Sequence, residues 1–356
     1  MCQWDLKSMN YTELEEYILS IGEKKFRAKQ LYDWFHKKLI RSFDDMGNIP
    51  GSLKTKLLEN QRWISLAEVE KYVSSIDGTT KYLFALEDGN VIESVLMKYK
   101  HGNSVCISSQ VGCRMGCRFC ASTLGGLTRN LTPSEMLDQI YYIQQSTGER
   151  VSNVVVMGTG EPFDNYENLI RFLELLTNED GLHISQRNIT VSTCGLVPRI
   201  REFADMESAI GLAISLHSPT DEMRRELMPI ANRYTIPEIM DACNYYIQKT
   251  NRRITFEYSL VAGVNDRKEH ARLLAQLLKG MLCHVNLIPV NPIEERSYRQ
   301  SEPEFVLNFK NMLEKSGINV TIRREMGRDI QAACGQLRKK YSEGRKIGDL
   351  ACRYME

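Results

Sequence analysis

From residue 104 onward, short apolar runs alternate with helix-length segments, and this alternation limits the chain more than any other feature. The strand candidates are 104–109, 154–157, 188–192, 212–216, 254–260, 285–288 and 319–323, with helices expected near 133–146, 166–177, 198–207, 236–250, 267–279 and 303–316. Strand–helix repetition calls for a parallel sheet, open or closed as a barrel, because parallel neighbours need long crossovers. The helix after Thr132 has a good start signal, with Thr132 as N-cap, Pro133 at the first helical position and Glu135 completing a capping box. Ahead of the repeat, 80–86 and 90–99 read as two strands joined by a turn at Glu87-Asp88-Gly89. Residues 1 to about 75 read as helical, with periodic runs at Tyr11–Ser20 and Phe26–Leu39. The expected architecture is therefore α/β: a small N-terminal helical domain (1–75) followed by a larger catalytic domain (76–356), in which chemistry gathers at the C-terminal ends of the parallel strands.

Length and charge narrow the class. A chain of 356 residues suits one large domain and a smaller one. With 46 Lys and Arg against 45 Asp and Glu, it is not a globally basic nucleic-acid binder. Local basic patches remain: Lys24, Lys25, Arg27, Lys29, Lys37, Lys38 and Arg41 surround the single acid Asp33, with Tyr32, Trp34 and Phe35 interleaved. Two readings stand side by side, a solvated helix face beside a small core or a footprint for a nucleic-acid backbone, and charge alone does not choose between them. The tail after Arg323 is a second basic stretch. No apolar run approaches the ~18–20 residues that cross a bilayer, and the first residues lack the apolar core of a secretory signal. Ten cysteines in a chain this long do not make a secreted disulfide scaffold. A cytoplasmic protein without membrane attachment is expected.

The strongest chemical signal is Cys113-Arg114-Met115-Gly116-Cys117-Arg118-Phe119-Cys120, three cysteines at C-x3-C-x2-C spacing placed directly after a strand. Thiolates suit an iron–sulfur cluster or zinc. A structural zinc wants four ligands, and Cys106 is the candidate fourth, its direction depending on strand register. Three thiolates on a [4Fe–4S] cluster leave one iron open, as catalysis requires. Further along, Gly158, Gly160 and Glu161 follow a strand, where glycines admit a ligand to the backbone and a carboxylate at the rim accepts from an ammonium group. His217 follows another strand and precedes Ser218-Pro219, and reads either as a core histidine or as a site residue. Glu93, taken alone, is an outward-facing residue of an alternating strand, and Cys334 sits among small neighbours within reach of Arg328 along the chain.

With an aromatic residue before its last cysteine, the loop resembles that of the radical S-adenosylmethionine superfamily. Its surroundings resemble one family more closely, the RlmN/Cfr RNA-adenine methyltransferases. The similar segments are CISSQVGCRMGCRFCAS (106–122), VVVMGTGEP (154–162), ITVSTCGLVP (189–198), ISLHSP (214–219), RELMPI (225–230), GVND (263–266), HVNLIPVNP (284–292) and DIQAACGQL (329–337). The resemblance implies a radical S-adenosylmethionine partial (β/α)6 barrel, a [4Fe–4S] cluster on Cys113, Cys117 and Cys120, and two molecules of S-adenosylmethionine per turnover. It implies cofactor contacts at Gly160, Glu161, Ser192, Ser215, Leu216, His217 and Asn291, a methyl-carrying Cys334, a resolving Cys106 and a proton-accepting Glu93. The substrate it implies is 23S rRNA, naked or in an early assembly intermediate, at carbon 2 of one adenine in the peptidyl-transferase region; some members also act on the adenine next to a tRNA anticodon. A flavodoxin- or ferredoxin-type electron donor and a thiol reductant would complete the cycle. Two rivals are a Cfr-type enzyme acting on carbon 8 of the same adenine and an RNA-binding protein with structural zinc. Glu161-Pro162 and the loop 121–127 look more like the carbon-2 type.

Overall fold

The computed structural model describes residues 5–330 except 62, 64 and 292–296. Three helices open the chain: α1 (Tyr11–Ser20), α2 (Phe26–His36) and α3 (Gly51–Asn60). Asn10 starts α1 with a capping box, its side chain accepting from the Glu13 amide while the Glu13 carboxylate accepts from its own. On α2 the buried positions are Ala28, Leu31, Tyr32, Phe35 and His36, the i, i+3, i+4, i+7 spacing of one helix face. Tyr32 and Phe35 are therefore core residues, and the stacking half of the nucleic-acid footprint falls away for them. Lys24, Lys25, Lys29, Lys37, Lys38 and Arg41 remain exposed. Several are paired, Lys25 with Glu15 and Lys37 with Asp33 and Asp180.

The expected helical character ends earlier than about 75. Ala67–Val73 is a strand, β1, which pairs antiparallel with β2 (Thr80–Ala85). Its Glu68, Glu70 and Lys71 suit an exposed sheet edge, which charged side chains protect from pairing with other chains. β3 (Val91–Tyr99) and β4 (Gly102–Cys106) continue the antiparallel ladder. β4 stops at Cys106, short of the expected 109; residues Gln110–Gly112 form a separate strand, β5, paired with β6 (Leu127–Asn130). The chain then alternates α4 (Pro133–Thr147), β7 (Val151–Val156), α5 (Tyr166–Thr177), β8 (Ile189–Thr193), α6 (Val197–Asp205) and β9 (Gly211–Ser215). After β9 come α7 (Asp221–Leu227), α8 (Ile236–Thr250), β10 (Ile254–Leu260), α9 (Lys268–Leu277), β11 (Cys283–Pro289), α10 (Pro303–Lys315) and β12 (Asn319–Ile322). The main sheet has ten strands in the order β1-β2-β3-β4-β7-β8-β9-β10-β11-β12, parallel from β4 to β12.

The two faces of the parallel part differ. Val154, Val156, Ile189, Val191, Leu212, Ile214, Phe256, Tyr258, Val285 and Leu287 point into one apolar core shared with the helices. The alternate positions carry Cys106, Thr190, Ser192, Ser215, Glu257, Asn286 and Thr321. Parallel sheets are ordinarily covered by apolar side chains on both faces. A polar second face marks the side left open for a ligand.

The same core reaches into the N-terminal helices. Polar ties reinforce the seam: Lys7 Nζ meets Asp138 of α4 at 2.6 Å and stands 4.5 Å over the Trp63 ring, and His36 Nδ1 lies 2.7 Å from the Tyr141 hydroxyl. His36 is fully buried, and burial, helped by the Lys7 charge, pushes it down to about 3. It therefore stays neutral when folded, while the unfolded chain takes up a proton below about pH 6.5. Stability contributed by the neutral ring is present above about pH 6.5 and is lost as pH falls towards 3, at about 1.4 kcal/mol per pH unit. In thermal melts at pH 7 and pH 5, His36→Leu is expected to shrink the acid-induced drop in Tm; an unchanged drop would place the sensitivity elsewhere.

Candidate active site

The cluster loop hangs from the β5–β6 pair. Cys113 follows β5 directly, and its amide donates to the Gly126 carbonyl just before β6 (3.0 Å). Thr123 Oγ1 closes the loop by donating to the carbonyls of Cys117 (3.1 Å) and Cys120 (2.9 Å). Arg114 pins it to Asp164 from outside, Nε to Oδ2 at 2.9 Å, and Gln110 Nε2 donates to the same carboxylate (3.1 Å) and to Asn130 Oδ1 (2.8 Å). Phe119, the aromatic before the last cysteine, meets the His217 ring edge-on with centroids 4.7 Å apart. Gln110, Arg114 and Asp164 escape sequence reasoning because each is a common polar residue whose partner is set only by folding.

Beside this loop stand the C-terminal ends of β7, β8 and β9. Gly160 has φ +112°, and a Cβ there would lie 2.7 Å from Gln110 Cβ; a Cβ at Gly158 would lie 2.7 Å from the Ile107 carbonyl oxygen. Both positions are closed to larger residues by backbone packed against them. Glu161 is buried, and its carboxylate accepts from the amides of Phe163 (3.1 Å) and Cys194 (2.7 Å). It ties the end of β7 to that of β8, with lone pairs left over for a ligand. Ser192 and Ser215 lie on the open face of β8 and β9, half-buried. Leu216, expected among the cofactor contacts, has its side chain in the apolar core, its amide donates to the Glu257 carbonyl (3.1 Å) and its carbonyl accepts from Arg224 Nε (3.2 Å). His217 takes the left-handed conformation, φ 54°, which is uncommon outside glycine. Its Nδ1 accepts from the Ser259 amide (2.9 Å), so the ring proton sits on Nε2, and burial drives its pKa down to about 3. A neutral Nε2–H donor results. Asn291 is exposed at the end of the described stretch that follows β11.

Glu93 is not outward-facing. It is 7% exposed, and its carboxylate lies 3.6 Å from the ammonium of Lys81, itself fully buried. Val95 of β3 pairs with Cys106 of β4, and Glu93 sits one pleat along the same face. Glu93 and Cys106 are therefore diagonal cross-strand neighbours, a relation that spaces residues by about 7–8 Å. Behind them Ser108 Oγ donates to the Glu93 carbonyl (2.7 Å), and Gln139 of α4 grips the Ser108 backbone and accepts from Ser94 Oγ (2.7 Å). Cys334 lies outside the described residues. Five residues ahead of it, Asp329 accepts from Ser74 Oγ (2.6 Å) and from the Ser75 amide (2.9 Å), fastening the start of that segment to the β1–β2 turn.

Residues 107–274 match the family model of the Radical SAM superfamily, and residues 4–62 that of the Ribosomal RNA large subunit methyltransferase N-terminal domain. Over 339 residues the chain is 66% identical to a probable dual-specificity RNA methyltransferase RlmN from Lachnospira eligens, covering 95% of this chain and 97% of that protein. The chain belongs to the RlmN family. Another probable dual-specificity RlmN, from Clostridium novyi, is 57% identical over 336 residues, covering 94% of this chain and 98% of its own length. Among solved structures, a radical SAM methyltransferase from Sphaerobacter thermophilus superimposes with a TM-score of 0.89 at 42% identity, covering 93% of this chain and 98% of that one. The mostly parallel sheet with an N-terminal helical region is thus the radical SAM fold, and RlmN-family enzymes carry a [4Fe–4S] cluster and S-adenosylmethionine.

The residues present fit that cluster. Burial pushes the Cys113 thiol up to about 12 and holds that of Cys117 well above the usual thiol range; Cys120 raises both further, and Cys113 raises Cys117. Thiols in such a setting ionise only against a strong positive centre, which cluster iron supplies. Among the described residues no three His, Cys, Asp or Glu side chains converge on a single ion. A four-iron cluster asks for one thiolate on each of three irons. Among the described residues no helix is long and apolar enough to cross a membrane.

Proposed function

We propose that this RlmN-family chain methylates carbon 2 of adenine 2503 in 23S rRNA, with the adenine next to the anticodon of some tRNAs as a second target. The observation that carries the reading is the buried Glu93 beside Lys81 on the same open sheet face as Cys106, one pleat away. A base and a thiol so placed suit a reaction that removes a ring proton and then releases a sulfur-bound product.

Carbon 2 of adenine bears an unactivated C–H bond, so displacement by a nucleophile does not deliver a methyl group there. In this reading Cys113, Cys117 and Cys120 would hold the cluster, which would supply the electron for radical cleavage of S-adenosylmethionine. Gly160 lets the chain pass tightly against Gln110 and so places Glu161, Ser192 and Ser215 offer hydroxyls, and His217 offers a neutral Nε2–H. Asn291 takes a further polar contact. Cys334, as thiolate, first accepts a methyl group by displacement from one S-adenosylmethionine. Its methyl group would then give a hydrogen atom to the deoxyadenosyl fragment of the cleaved cofactor, the methylene carbon would bond to carbon 2, and the odd electron left on the ring would return to the oxidised cluster. Glu93 then takes the ring proton, oriented by Lys81, and the Cys106 thiol attacks the Cys334 sulfur while its proton goes to the departing methylene carbon, which frees the methylated base. A Cys106–Cys334 disulfide is left for an external thiol to reduce. A flavodoxin- or ferredoxin-type protein is the proposed electron donor. The target base must leave its stack to reach the open face, as enzymes acting on bases require.

The test uses anaerobically reconstituted full-length protein with methyl-labelled S-adenosylmethionine, a low-potential reductant and either 23S rRNA or bulk tRNA. Label is expected in 23S rRNA, and in tRNA if the second activity is present. Reductant-dependent cofactor cleavage with both RNAs unlabelled would remove the substrate assignment.

A further inference from the structure

Arg224 is fully buried, yet it makes no ion pair among the described residues. Charged side chains are almost never buried without a partner, since the loss of hydration is repaid only by an opposite charge. Among the described residues this guanidinium bonds carbonyls alone: Nε donates to Leu216 (3.2 Å), and Nη2 donates to Cys194 (2.6 Å) and Ser215 (3.4 Å). Its Nη1 is buried with no hydrogen-bond partner among the described residues. Asp221, one turn back on α7, acts on it electrostatically, but Asp221 Oδ1 accepts from the Ile236 amide (2.7 Å).

The position of this cation is specific. The three carbonyls lie at the C-terminal end of β9 and just past β8 and β9, beside Ser192 and His217. The helix that carries it abuts the cluster loop: the Arg118 amide donates to the Leu227 carbonyl (2.9 Å), and Cys117 packs with Cys194, Leu227 and Met228. A [4Fe–4S] core with two positive charges on three thiolates carries a net negative charge, and one-electron reduction doubles it. A fixed cation nearby favours the reduced form.

We propose that Arg224 is a positioning residue with two tasks: its fork fixes the ends of β8 and β9 where S-adenosylmethionine binds, and its charge compensates the cluster on Cys113, Cys117 and Cys120 in the reduced state. The inference rests on the cluster of the family and not on which adenine carbon is methylated, so no RNA enters its test.

The experiment compares the starting protein, Arg224→Gln and Arg224→Lys after anaerobic reconstitution. Iron and sulfide content, the reduced fraction at a series of poised potentials read by electron paramagnetic resonance, and S-adenosylmethionine affinity by equilibrium dialysis are measured. At full iron content R224Q is expected to lower the reduced-to-oxidised ratio at fixed potential about tenfold, the scale of a unit charge about 12 Å away at an effective dielectric near 20. R224K keeps the charge and is expected to stay within about twofold. Lysine cannot reproduce the planar fork, so both variants are expected to weaken S-adenosylmethionine binding about fivefold or more. An unchanged ratio in R224Q at full iron content overturns the electrostatic task, and unchanged affinity in both variants overturns the positioning task. If R224Q holds no cluster, R224K decides: a ratio within about twofold upholds the charge assignment, and a tenfold shift overturns it.

Discussion

Cys106→Ala is expected to convert a turning-over enzyme into one that stops while covalently joined to its RNA. If Cys106 is the thiol that attacks sulfur on Cys334, its removal leaves methyl loading and carbon–carbon bond formation intact and blocks only release. A protein band carrying RNA, resistant to heat and detergent, should accumulate on a denaturing gel after single-turnover incubation, while free methylated RNA falls by about a thousandfold, as for loss of a group acting as a unit in covalent catalysis. Cys334→Ala should yield neither adduct nor product, with its cluster spectrum and reductive cofactor cleavage retained. The register explains why Cys106 can be replaced without disturbing the cluster loop: it ends β4, before β5 and the loop begin. Normal product formation by C106A would remove the assignment of the resolving thiol, and normal product formation by C334A would remove the thiol carrier altogether.

Lys7→Met is expected to carry the largest stability cost of any single substitution at the seam. Lys7 is 2% exposed, and its ammonium meets both oxygens of Asp138 at 2.6 Å. Deleting one member of a buried pair strands the other, at a cost of about 3–5 kcal/mol. Burial already pushes the Asp138 carboxyl up, with Lys7 opposing it, so the stranded acid would protonate more readily. The double variant Lys7→Met/Asp138→Leu should be more stable than Lys7→Met alone in urea melts, because no uncompensated charge remains. Additive losses would show that the two side chains act separately. Asp138 adjoins Gln139 on α4, the residue that grips Ser108 behind Glu93, so the pair also steadies the wall from which the proposed base projects.

Much of this was legible before folding was considered. The β-α alternation, the Thr132 capping box and the three-cysteine loop are local signals, read from residues a few positions apart, and all three stand in the structure. Long-range pairing decided the remainder. The segment Ala67–Val73 has the composition of a solvated helix and becomes a strand because β2 offers a partner. The strands flanking the cluster loop are three and four residues long and take their identity from each other. For Glu93 the alternation showed which residues share a face but not that this second face closes over the Lys81–Glu93 pair, so its burial was hidden. Arg224 was missed for the opposite reason: an arginine on a short helix with acids and another arginine reads as surface. The Cys334 segment lies outside the described residues, and its role rests on the family resemblance and the proposed chemistry.

The most direct test of the central claim is nucleoside mass spectrometry, with both methyladenosine standards, on 23S rRNA from a methylase-deficient host expressing this chain. Appearance of 2-methyladenosine is the expected result. Appearance of 8-methyladenosine instead would contradict the carbon-2 assignment while leaving the thiol-carrier chemistry standing, and absence of both from cells holding soluble, cluster-loaded protein would contradict the 23S rRNA substrate itself.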